Sequence, residues 1–165
     1  MKLNHIFAAL SMVLVSSFAN ASGNHAGGHG EADSIGQPGK TENINRTVTI
    51  TMLDTMRYSP ASVSVKQGET IKFIVKNSGK IKHEMVLGTA KELKEHYELM
   101  KKNPEMEHAD ENMVTVPPGE SGEIIWQFTT AGKIDFACLI PGHYDAGMKG
   151  SVKVQPGKKK TGIKK

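Results

Sequence analysis

The segment Cys138-Leu139-Ile140-Pro141-Gly142-His143-Tyr144-Asp145-Ala146-Gly147-Met148 puts a thiol, an imidazole and a thioether into one short loop, spaced C-x4-H-x4-M. Thiolate and thioether are soft donors suited to Cu(I), and imidazole suits both copper oxidation states. A trigonal His2Cys set with a weak axial Met therefore changes little when copper gains or loses an electron. Structural zinc sites instead use four Cys or His ligands without Met. The chemistry implied is that of a copper site.

The loop supplies one histidine, so a second must come from elsewhere. His83 is the best placed, because it opens the apolar run His83-Glu84-Met85-Val86-Leu87 directly after the Lys80-Ile81-Lys82 turn. His96 falls on a helix surface beside Tyr97, His108 in an acidic irregular stretch, and His25 and His29 in a Gly-rich leader. Cys138 is the only cysteine of the chain. It cannot form an internal disulfide, which leaves a buried inert thiol, an intermolecular link, or a metal-binding or reactive thiolate. Its neighbours favour the metal.

The elements that must aim these side chains are mostly strands. Val48 and Ile50 alternate with threonines, Val63 alternates with Val65, and Ile71, Phe73 and Val75 form the clearest period-two run. Further runs are His83 to Leu87, Val114 and Val116, Ile124 to Phe128, Ile134 to Cys138, and Val152 and Val154, with Gly, Pro and Asn turn signals between. Cys138 ends one strand and Gly150 begins the next, so one turn can point Cys138, His143 and Met148 at a common spot. One helix interrupts the pattern. Thr89 and Glu92 fit a capping box, Leu93, Tyr97 and Met100 make one apolar stripe, and Glu98 and Lys102 are spaced as an i, i+4 pair. Asn103-Pro104 ends it. The expected architecture is an all-β antiparallel sandwich of Greek-key type with one short helical insert.

The ends read differently. Lys2, the apolar stretch Ile6 to Phe18 and Ala19-Asn20-Ala21 have the order of a secretory signal peptide over residues 1–21. The apolar stretch is shorter than the roughly 20 residues a spanning helix needs. Residues 22–45 are rich in Gly, Ser, Asn and His and are expected to form a flexible leader. The folded domain is expected over 46–156, followed by a basic tail at 157–165. The formal charge of +4 owes much to the five lysines of that tail. No basic, aromatic-interleaved motif argues for nucleic acid, and no stable membrane insertion is expected once the signal is cleaved. Export implies a periplasmic location.

From about Arg46 to Gln155 the chain resembles the cupredoxins, the blue-copper proteins such as plastocyanin, azurin and rusticyanin. The resemblance rests on Lys82-His83-Glu84, Phe136-Ala137-Cys138, the Pro141-Gly142-His143 loop and Met148-Lys149-Gly150. It implies a Greek-key sandwich with one type 1 copper near one end, bound by His83, Cys138, His143 and Met148. Two features depart from the simple carriers. Glu84 stands where many cupredoxins have Asn, and residues Thr89 to about Asn112 form an insert. With the His-containing leader, these are more like the periplasmic copper-tolerance cupredoxins of the CopI type.

Copper tolerance, by binding and redox-cycling Cu(I)/Cu(II), is the function this points to. The ligand set alone also suits a soluble electron carrier between larger redox proteins, with a partner docking near His143 over Pro141, Gly142, Tyr144 and Ala146. No catalytic triad or acid–base pair is evident, which argues against a conventional enzyme and leaves oxidation of Cu(I) open as an activity. Met85 lies on the His83 strand and reads as core. Met52, Met56, Met100, Met106, His108 and Met113, with His25 and His29, are candidates for a second, weaker copper site.

Overall fold

The computed structural model describes residues 35–106 and 109–157. The signal segment, the leader up to residue 34 with His25 and His29, His108, and the tail from residue 158 lie outside the described residues.

The β-branched and aromatic runs form two five-stranded sheets packed face to face. In chain order the strands are β1 (Gln37–Pro38), β2 (Arg46–Leu53), β3 (Arg57–Ser59), β4 (Ser62–Lys66), β5 (Thr70–Asn77), β6 (His83–Gly88), β7 (Met113–Val116), β8 (Ser121–Gln127), β9 (Gly132–Ala137) and β10 (Lys149–Gln155). One sheet has the order β1-β8-β5-β2-β3 and the other β4-β10-β9-β6-β7. Every second side chain of a strand faces the partner sheet. Ile50, Met52, Ile71, Phe73, Val75, Met85, Phe128, Phe136 and Val152 accordingly make one core.

Most neighbouring strands run antiparallel, as the turn spacing predicts. Two pairs, β2 with β5 and β4 with β10, are parallel. Parallel neighbours need a connection that leaves the sheet and returns. Between β2 and β5 the chain supplies it by crossing to the opposite sheet as β4.

The α-helix between β6 and β7, α1 (Ala90–Lys102), follows β6 directly. Thr89 and Glu92 form the expected capping box, and Leu93, Tyr97 and Met100 are its buried residues. Glu98 pairs with Lys101 at i+3, at 3.1 Å, in place of the expected Lys102. The helix packs on β6, which begins at His83, and on β9, which leads into the Cys138–Met148 loop.

Residues ahead of Arg46 also join the sandwich. Ile35 is buried, its carbonyl accepts from Trp126 Nε1 at 2.8 Å, and Gln37–Pro38 pairs with Gln127 and Trp126 of β8. Residues 35–45, expected within the flexible leader, thus include a segment that packs on β8. Ile35 is the apolar residue that anchors this stretch, and the indole N–H beneath it would otherwise be buried without an acceptor.

Candidate metal centre

Strand register does the first part of the positioning. β6 pairs with β9 through Val86–Ala137 and Leu87–Phe136, so the chain past Ala137 runs alongside the start of β6, where His83 stands. Cys138 N–H donates to the Met148 carbonyl at 3.1 Å, which draws the two ends of the loop together. Within the loop, His143 N–H donates to Ile140 O, Ala146 N–H to Gly142 O, Gly147 N–H to Tyr144 O and Met148 N–H to His143 O. Arg57 Nη1 closes it from outside by donating to Ala146 O at 2.8 Å. Gly147, with φ of 94°, has Arg57 packed against the space a β-carbon would fill.

The result brings three of the expected donors to one point. The His83, Cys138 and His143 donor atoms all lie within 4.8 Å of one another. His143 Nδ1 is 3.3 Å from both His83 Nδ1 and Cys138 Sγ. His83, Cys138 and Met148 are fully buried, whereas His143 is partly exposed at the end of the sandwich. Met148 closes the same loop from the core side. Met85, as expected, lies in the core.

Burial is the main influence on the titrating donors. Burial, and next the nearby Glu84 carboxylate, push the Cys138 thiol up to about 12, against the pull of the Glu84 and Ile140 backbone amides. His143 is lowered, by burial first and by its His83 neighbour second. It is therefore neutral at neutral pH and has a lone pair to offer. A thiol and two imidazoles that converge beside a buried thioether, with no carboxylate among the converging donors, suit copper better than a hard cation. Glu84, although buried, is not one of the converging donors, and its carboxylate accepts from Leu139 N–H at 2.7 Å. Tyr58, also buried, donates to the Glu84 carbonyl at 2.6 Å and meets Phe136 edge-on.

Two residues that the sequence did not single out support the site. Asp54 Oδ1 is 3.1 Å from His83 Nε2. Its carboxyl is held below the usual range chiefly by the Lys80 backbone N–H. Tyr97, expected only as part of an apolar helix stripe, donates to Asp145 Oδ2 and accepts from Gly142 N–H. Its ring stacks on Tyr144 at 4.8 Å, and Lys149 Nζ lies 3.6 Å from the centre of the Tyr144 ring. Neither contact has a local sequence signal, because each joins residues 29 or more positions apart.

The remaining methionines separate. Met52 is core. Met100, Met106 and Met113 line one cleft of about 390 Å³ together with Glu84, Ile140 and Pro141.

Residues 44–155 match the family model described as copper-binding proteins of the plastocyanin/azurin family. The copper-resistant cuproprotein CopI of Rubrivivax gelatinosus is 52% identical over 133 residues, covering 79% of this chain and 81% of that protein. CopI of Pseudomonas aeruginosa is 34% identical over 175 residues, covering 88% and 95%. Among solved structures, dithionite-reduced auracyanin from Roseiflexus castenholzii superposes with a TM-score of 0.58 at 25% identity, over 68% of this chain and 99% of its own. Auracyanin B reaches 0.61 at 23% identity, over 73% and 96%, and shares the fold. With the family model spanning β2 to β10 and relatives of this identity, the chain belongs to the plastocyanin/azurin family of copper-binding proteins.

Proposed function

We propose that this protein is a periplasmic copper-tolerance protein that holds one copper ion through His83, Cys138, His143 and Met148. The observation that carries the reading is the convergence of the His83, Cys138 and His143 donor atoms within 4.8 Å, beside a buried Met148. Bound there, copper supplies a one-electron Cu(II)/Cu(I) couple. The chain's own residues do the rest. Cys138 gives up a proton to become a thiolate, the imidazoles offer lone pairs, and the buried loop keeps water from the donors. The CopI relatives carry copper resistance in their names, and the N-terminal pattern of this chain is that of an exported protein. Among the described residues no helix is long and apolar enough to cross a membrane.

The test is a deletion strain grown on rising copper and complemented with wild type or Cys138→Ser. Copper sensitivity rescued by wild type alone, with normal respiration, is expected. A respiratory defect without copper sensitivity would overturn the tolerance reading. Cell fractionation tests the location, with the mature protein expected in the periplasmic fraction.

A second reading, electron transfer to a docked redox protein, is favoured by one observation. The partly exposed His143 is flanked by exposed Pro141, Gly142 and Ala146. Ala146→Glu should slow electron exchange with a cytochrome if that face docks. An unchanged rate removes this reading.

A further inference from the structure

His83 is enclosed, yet its outer nitrogen meets a carboxylate that reaches in from the far end of β2. Asp54 Oδ1 lies 3.1 Å from His83 Nε2, while His83 Nδ1 faces His143 Nδ1 at 3.3 Å. An ionised carboxylate can only accept a hydrogen bond. The His83 proton therefore sits on Nε2, and Nδ1 is left with its lone pair turned toward Cys138 and His143.

The segment around Asp54 is built to keep it there. Its second oxygen accepts from Lys80 N–H at 2.7 Å. Gly79 packs so closely on the carboxylate that a β-carbon at that position would overlap it. Asn77, itself buried, accepts from Gly79 N–H and donates to the carbonyls of Ile81 and Val116. Ser78 N–H donates to Met52 O, which ties the turn to the end of β2. The turn before His83 is thus shaped around one acidic side chain.

We infer that Asp54 is a positioning residue of the copper site: it fixes the His83 tautomer and ring orientation and biases the site toward Cu(II) over Cu(I). A carboxylate behind an imidazole makes the ring a stronger donor, and partners of this kind commonly govern metal affinity. The added negative charge favours the more highly charged ion. Asp54 acts through His83 and does not reach the donor cluster itself. The inference rests on His83 being a copper ligand.

The test measures Cu(II) and Cu(I) affinities separately, by chelator competition, for wild type, Asp54→Asn, Asp54→Ala and His83→Ala. Thermal unfolding of the copper-free forms reports on folding. Both Asp54 variants should lose Cu(II) affinity by about 10–100-fold. Their Cu(I) affinity should fall less, so the reduction potential rises and the visible absorption shifts. Asp54→Asn removes charge but keeps an acceptor for Lys80 N–H, so it reports even if Asp54→Ala folds poorly. Equal losses of both affinities, or none, with His83→Ala losing its copper spectrum, would overturn the role of Asp54 alone. Retention of that spectrum by His83→Ala would overturn the ligand assignment and the inference with it.

Discussion

The Tyr97 hydroxyl donates to Asp145 Oδ2 at 2.7 Å and accepts from Gly142 N–H at 3.1 Å, so one helix residue holds the ligand loop on both sides of His143. Tyr97 is buried, and its ring stacks on Tyr144 in the same loop. The insert that distinguishes this chain from simple carriers thus touches the metal loop directly. Asp145, which makes the surface around His143 less apolar, is the acceptor that contact requires.

Tyr97→Phe keeps the stack and removes both hydrogen bonds. The loop should loosen, with a stability loss of about 1–3 kcal/mol in urea unfolding of the copper-free protein. The visible spectrum of the copper form should broaden, and copper should leave faster to a chelator. Unchanged stability and spectrum would show that the helix does not restrain the loop.

These relationships mark what was legible in the sequence. Cys138, His143 and Met148 stand within eleven residues of one another, so their spacing alone exposes the site. The strands were legible because burial on one face imposes a period of two, as in Ile71, Phe73 and Val75. The helix start was legible because Thr89 and Glu92 satisfy each other locally. What was not legible is long-range. The parallel pairing of β2 with β5 depends on a crossover, and Asp54 meets His83 only because the turn at Gly79 folds over it. Residues 35–45 carry little apolar pattern. Their anchoring by Ile35 becomes visible only when Trp126 of β8 is known to need an acceptor.

Copper loading should release a proton. In the free protein the Cys138 thiol titrates at about 12, so it is protonated at neutral pH, while lowered His143 is already neutral. Forming the thiolate at neutral pH therefore releases about one proton per copper, read by pH-stat titration. Conditional affinity should rise about tenfold per pH unit from neutrality upward. Stability of the copper-free protein runs the opposite way. The folded thiol lies above its ordinary value of 9.0, so the unfolded chain loses its proton first and stability falls as pH climbs from there toward about 12. Comparison with Cys138→Ala isolates this contribution from other groups. A Cys138→Ala profile that falls equally over that range would refute it.

Gly79→Ala tests whether the turn is shaped around Asp54. Gly79 does not occupy the left-handed region, so its backbone accepts alanine, and the overlap is with the Asp54 carboxylate. That side chain is 38% exposed and can rotate outward, giving up the contacts to His83 and Lys80. A loss of stability is expected in the copper-free protein, read by urea unfolding. In an Asp54→Ala background most of the loss should vanish, because the clashing group is gone. Full additivity in this double-mutant cycle would mean that the overlap is relieved by moving the turn instead.

The methionine-lined cleft makes the second copper site testable. Met100 comes from α1, Met106 from the turn after it and Met113 from β7, and all three border one cleft against Ile140 and Pro141 of the ligand loop. Met106 is 43% exposed, so core packing does not explain it. Thioethers bind Cu(I) in preference to harder ions. Cu(I) titration under anaerobic conditions should therefore reveal a weaker equivalent beyond the one held with Cys138. Replacing the three with leucine preserves apolar volume and removes the sulfur. That variant should lose the weaker Cu(I) equivalent and keep Cu(II) binding and the visible spectrum. Ag(I), which is soft and does not cycle under these conditions, should show the same loss. Retention of the weaker equivalent in the leucine variant would assign it elsewhere on the chain and leave the cleft as packing.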